Sequence, residues 1–124
     1  MGEYKRTVVL VDDNQTSRKF FLRSTENLSI DLKTYGNTDD AMEYLENNKP
    51  SLLFLNIRMP DKNGLTFLEE LRKLPLHKDT RVIMITSKDY SQDRTIATAL
   101  GALDFIVKPM SMRSITSIML DYIK

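Results

Sequence analysis

No cysteine occurs among the 124 residues of the chain. Its absence excludes a disulfide scaffold, a thiolate metal site and a cysteine nucleophile, and it fits a reducing, cytoplasmic setting. Glycine and proline are scarce, four of each, and scattered, so no linker, low-complexity tract or repeat stands out. No apolar run approaches the roughly 18 residues that a membrane-crossing helix needs. The stretch from Met1 to Arg6 is polar and lacks the apolar centre of a secretory leader. Gly2 would suit myristoylation only if Ser or Thr stood in place of Arg6. Neither sign of charge prevails: 18 Lys and Arg face 17 Asp and Glu, for a formal net charge of +1. A nucleic-acid module carries a clear basic excess, so neither nucleic-acid nor membrane contact is expected.

What is present is an ordinary globular composition, 41% hydrophobic and 28% charged, at the length of a single domain spanning residues 1–124, standing alone or cut from a longer chain. Thr7 to Val11 is a β-branched apolar run without alternation, as in a strand buried on both faces of a parallel sheet. Similar runs cover Leu52 to Leu55, Val82 to Ile85 and Asp104 to Val107. Ile30 to Tyr35 alternates through Asp31 and Lys33, which predicts an edge strand. Helical spacing fills the gaps. It runs over Asn14 to Asn27, from an N-cap at Thr38 to Asn48, over Gly64 to Leu74, over Ser91 to Leu100 with Gly101 as the stop, and over Ser111 to Ile123. Strand and helix thus alternate five times. That pattern predicts an α/β fold, a doubly wound five-stranded parallel sheet of flavodoxin-like order 2-1-3-4-5.

In such sheets ligands bind beyond the carboxyl ends of the strands. Asp12 and Asp13 follow the first strand, Asn56 and Arg58 the third, Thr86 and Ser87 the fourth, and Lys108 and Pro109 the fifth. Adjacent carboxylates with neighbouring oxygens suit a hard cation of the Mg²⁺ type. A lysine and a hydroxyl opposite suit phosphoryl oxygens. Each residue alone has a plainer reading: the Asp pair as a helix cap, Thr86 as a turn residue, Lys108 as a solvated loop side chain. Their joint placement at four strand ends is the stronger signal. The single histidine, His77, lies in the loop Pro75-Leu76-His77-Lys78-Asp79. With no second His, no Cys and no acid cluster nearby, it reads as an exposed loop residue. Met42, Met84 and Met119 read as packing.

The segments VVLVDDN, LLFLNIRMPDKNG, VIMITS and GALDFIVKPM make the sequence similar to the receiver domain of two-component response regulators over nearly its whole length. The spacing agrees: Thr86 lies 30 positions and Lys108 lies 52 positions after Asn56. The resemblance implies that Asp13 ligates Mg²⁺ directly and Asp12 mainly through water, with the Arg58 backbone carbonyl as a further ligand. It implies that Lys108 binds phosphoryl oxygen and that Thr86 and Phe105 are the switch pair. It also implies a cis peptide before Pro109. The partners it implies are a histidine kinase or phosphotransfer protein and a downstream output protein. A homodimer through helix 4, strand 5 and helix 5 is expected as well, on a face where Tyr90, Met112, Leu120 and Ile123 offer apolar area.

One position departs from the family. The resemblance puts a phosphoacceptor aspartate where this chain has Asn56. A carboxylate oxygen is an anionic nucleophile, whereas an amide oxygen is neutral and far weaker. Phosphorylation, and with it any enzymatic activity, is therefore expected to be lost. Mg²⁺ binding should be weak or absent with two carboxylates in place of three, though the Asn56 side-chain oxygen still offers a neutral ligand. Such an asparagine suits a receiver that signals by binding alone, an Asp→Asn replacement that holds the domain unphosphorylated, or a site kept only for packing. The intact remainder of the site favours the first two. The Arg58 guanidinium either swings over Asp12 and Asp13 or, the preferred reading, faces solvent. The alternative of a small phosphate-ester hydrolase meets Asn14 where a second acid should follow Asp12. A flavin protein would have to seat its phosphate on Asp12-Asp13-Asn14-Gln15, which repels an anion.

Overall fold

A computed structural model describes residues 5–123; Gly2 and Lys124 lie outside them. The strands are β1 (Arg6–Val11), β2 (Ile30–Tyr35), β3 (Leu52–Asn56), β4 (Val82–Thr86) and β5 (Asp104–Val107). The helices are α1 (Gln15–Thr25), α2 (Thr38–Leu45), α3 (Gly64–Arg72), α4 (Ser91–Ala99) and α5 (Met112–Tyr122), with a 3₁₀ turn at Pro75–His77. All strands pair in parallel, in the order β2-β1-β3-β4-β5. The predicted sheet and its order are thus observed, with β2 at an edge.

Side chains alternate across the sheet, as strand geometry demands. Val9, Val11, Leu53, Leu55, Val82 and Met84 point to one face, where Ala41 of α2, Leu68 of α3 and Ala97 of α4 cover them. Val8, Leu10, Phe54, Ile83, Ile85 and Ile106 point to the other, under Phe21 of α1 and Ile115 and Met119 of α5. There Phe21 meets Phe54 edge-on, with ring centroids 4.9 Å apart. Met84 and Met119 are core residues and Met42 is packed against the core.

Several expectations need correction. The cap of α2 is Asn37, not Thr38: the Asn37 side chain accepts from the Asp40 N–H. Thr38 is buried instead, and its N–H and hydroxyl both donate to Asp61 Oδ2, at 2.8 and 2.7 Å. Neither Asp12 nor Asp13 caps α1; Asn14 does. The helices α1, α2 and α3 end two or three residues earlier than their apolar spacing suggests. In α3 this is because Leu74 leads into the 3₁₀ turn with Pro75 at its start. Gly101 does stop α4, at φ 86°.

His77 is the clearest correction, since it is fully buried rather than exposed. Its Nε2 lies 2.5 Å from the Leu45 carbonyl and its Nδ1 lies 2.7 Å from Thr80 Oγ1. A carbonyl only accepts, so Nε2 carries the proton and Nδ1 accepts from the threonine. Arg72 closes the same corner by donating to the carbonyls of His77, Thr80 and Leu100, each at 2.8 Å.

Candidate functional site

Strand register builds the site. Val11 pairs with Leu55, and Asn56 pairs with Ile85. Asp12 and Asn56 therefore leave the sheet side by side, while Thr86, opposite Val107, stands just before Lys108 in the adjoining strand. The Lys108 N–H donates to the Thr86 carbonyl at 2.8 Å, tying those two strand ends together.

Asp12 is fully buried. Its Oδ1 accepts from the Asn14 N–H at 3.0 Å, and its carbonyl accepts from the Arg18 guanidinium at 2.8 Å. Its Oδ2 has no hydrogen-bond partner among the described residues. The Lys108 ammonium lies 3.0 Å from that oxygen, an ion pair without hydrogen-bond alignment. A buried carboxylate oxygen compensated by one ammonium, with no aligned hydrogen bond, keeps lone pairs for a further cation.

Asn56 is nearly buried, and its amide is committed. Nδ2 donates to the Arg58 carbonyl at 2.9 Å and to Asp13 Oδ1 at 3.3 Å. Asp13 itself is exposed. The other amide orientation would set Oδ1 against two acceptor oxygens, so the network fixes this one. Gly64 lies directly behind: a Cβ there would sit 2.2 Å from the Asn56 carbonyl oxygen. Only glycine allows α3 to start this close to the end of β3.

The structure thus gathers Asp12, Asp13, Asn56, Lys108 and the Arg58 carbonyl in one notch. Thr86 borders the notch but its hydroxyl is engaged elsewhere, donating to the Lys88 carbonyl at 2.8 Å and accepting from the Lys88 N–H at 3.1 Å. Phe105 is half-buried on β5 with the Arg94 guanidinium 4.5 Å above its ring, and Arg94 pairs with Asp89. The Lys108–Pro109 peptide is cis. The Arg58 side chain does not lie over the acids but is exposed to solvent, as the preferred reading has it. It donates to Asp93 Oδ2 at 2.8 Å and lies 5.4 Å from the Tyr90 ring centre. Sequence reasoning missed this contact, because its partners are more than thirty positions away and nothing local announces them. Among the described residues no group of three or more His, Cys, Asp or Glu forms a metal cluster, so oxygen donors beyond Asp12 and Asp13 must come from amide and carbonyl groups.

On the far edge Tyr90, Ile96, Leu103, Val107, Met112 and Leu120 are exposed, from α4 across β5 to α5. Ile123, expected to join them, is half-buried against the core. No helix among the described residues is long and apolar enough to cross a membrane.

Comparison with known proteins agrees with this geometry. The family described as the response regulator receiver domain matches residues 8–120. A cyclic di-GMP phosphodiesterase response regulator, RpfG of Xanthomonas campestris pv. campestris, is 36% identical over 110 residues, which is 87% of this chain and 29% of that protein. The chain spans less than half the length of the first curated relatives it matches. Among solved structures, the Vibrio cholerae chemotaxis protein CheY4 superposes with a TM-score of 0.89 at 18% identity, covering 96% of this chain and 99% of that one. The Mn²⁺-bound form of response regulator Rcp1 superposes with a TM-score of 0.85 at 19% identity, covering 96% and 95%.

Proposed function

The chain belongs to the response regulator receiver domain family of two-component signalling, and on that footing we propose that it signals through protein contacts alone, without becoming phosphorylated. The observation that carries this reading is Asn56. It stands at the end of β3, in the notch, and presents a neutral amide whose protons are spent on Asp13 and the Arg58 carbonyl. Attack on a phosphoryl donor needs an anionic oxygen there. Lys108 retains the charge to hold phosphoryl oxygens, so the notch keeps the receptor half of the chemistry and lacks the nucleophile.

The donor set fits a hard divalent cation. Asp12, whose Oδ2 meets only the Lys108 ammonium, Asp13, the Arg58 carbonyl and, once its amide turns over, Asn56 Oδ1 are the groups that would hold Mg²⁺. When bound, the ion supplies positive charge against the oxygens of an incoming phosphoryl group. With one anion fewer in the notch and an amide to displace, we expect weak binding. The partners we propose are a histidine kinase or phosphotransfer protein and an output protein, and the exposed α4–β5–α5 face is the surface we assign to them or to a second copy of the chain.

The test is incubation with acetyl phosphate and Mg²⁺ followed by intact mass. The chain should gain no phosphoryl group, whereas Asn56→Asp should gain one that is lost in base. A stoichiometric, labile phosphoryl group on the parent chain overturns the reading.

A further inference from the structure

We propose that the Asn56 carboxamide is a built-in surrogate for the cation, and that through Arg58 it fastens α4 in one position whether or not a metal is present. The inference rests on reading Asn56 as the acceptor position and concerns what that residue does to the rest of the fold. Its two hydrogen bonds end on Asp13 Oδ1 and the Arg58 carbonyl. Those are two of the oxygens that would otherwise turn to a metal. A pair of N–H dipoles aimed at both oxygens places partial positive charge where the ion would sit and holds the β3–α3 loop against the notch.

Arg58 carries the effect outward. Its main chain accepts from Asn56, while its guanidinium pairs with Asp93 in the first turn of α4 and lies against the Tyr90 ring. Besides this contact the turn is held from its other side by Arg94, which pairs with Asp89 and lies over the Phe105 ring. Tyr90 at the N-cap makes no side-chain capping bond, and Ala97 is the one buried residue of α4. A helix with so small a buried face is drawn from the low-stability end of the molecule. One residue thus joins the site to the least anchored helix, which borders the exposed α4–β5–α5 face.

The inference predicts the behaviour of a carboxylate in the same place. Asn56→Asp removes both donors and leaves the carboxylates of residues 56 and 13 and the Arg58 carbonyl facing one another with no proton between them. The loop then depends on an added cation, and α4 with it.

Hydrogen–deuterium exchange at the backbone amides of the first turn of α4 tests this, with MgCl₂ and with chelator, in the full chain and without any phosphodonor. The parent should exchange at the same rate in both conditions. Asn56→Asp should exchange about two- to five-fold faster in chelator, the range an exposed ion pair commands, and return to the parent rate in Mg²⁺. Arg58→Gln should exchange fast in both conditions while the Asn56 side-chain amide resonances stay in place, which separates the tether from the lock. Mg²⁺ slowing the parent as much as Asn56→Asp would overturn the inference. So would an Asn56→Asp rate in chelator equal to the parent's, or an unchanged rate in Arg58→Gln. The phosphorylation reading is scored by mass and this one by exchange, so the failure of either is told apart from the failure of the other.

Discussion

Gly64→Ala sets two physical rules against each other. Gly64 opens α3, and helix propensity alone favours alanine over glycine by up to ~1 kcal/mol. The packing forbids it. The new Cβ would lie 2.2 Å from the Asn56 carbonyl oxygen and 3.0 Å from both the Asn56 carbonyl carbon and Ile57 Cα. Carbon and oxygen come to rest at about 3.3 Å, so roughly 1 Å must be found. It cannot come from a rotating side chain, because the nearest atoms are all backbone, pinned where the Ile57 N–H meets the Ile85 carbonyl at 2.9 Å. Backing α3 away would stretch the Gly64 N–H to Ile57 carbonyl bond, now 2.7 Å. Overpacking of ~1–3 kcal/mol and a weakened hydrogen bond of ~1 kcal/mol outweigh the propensity gain, for a net loss of about 1–3 kcal/mol. Urea and thermal unfolding followed by circular dichroism should show a lower urea midpoint and a melting temperature about 3–10 °C down. A variant as stable as the parent, or more so, would refute the close approach of α3 to β3 on which the shape of the notch depends.

Replacing buried His77 with leucine strands the Leu45 carbonyl and the Thr80 hydroxyl, so it should cost about 2–4 kcal/mol in urea unfolding, whereas exposed Lys78→Leu next door should stay within ~0.5 kcal/mol; equal midpoints for the two would return His77 to the surface. For Asp61, burial raises the carboxyl pKa, but hydrogen bonds from the Thr38 hydroxyl and from the N–H groups of Thr38, Asp61 and Lys62 together outweigh it, and the net shift is downward from 3.8. A group depressed in the folded state stabilises above its unfolded pKa and loses that contribution as pH falls through the folded value. Asp61→Asn should therefore lower the urea midpoint at about pH 7 and narrow its difference from the parent near pH 3; an unchanged gap across that range contradicts the assignment.

How much the sequence discloses follows from the range of each interaction. The runs VVLV, LLFL and VIMI declare strands because both of their faces are buried, and residues immediately after such strands share a rim by topology alone. Asp12, Asn56 and Lys108 were legible for that reason. His77 was not: its burial depends on the Leu45 carbonyl, thirty-two positions away, and a lone histidine between leucine and lysine gives no local sign of it. Arg58 was read as solvent-facing, which it is, but its partner was hidden in the same way, since Asp93 becomes its neighbour only when α4 packs beside α3. Thr38 shows the local limit. Two adjacent residues could cap α2, and the choice of Asn37 was made by Asp61, which claims the threonine from another loop.

The sheet is a party wall. Leu53 and Phe54 are bonded to each other, yet they furnish different rooms, one shared with α2, α3 and α4 and the other with α1 and α5. What the rooms have in common is the wall itself, and the notch is cut into its top edge. The strand register that sets Asp12 beside Asn56 belongs to that wall and not to either room.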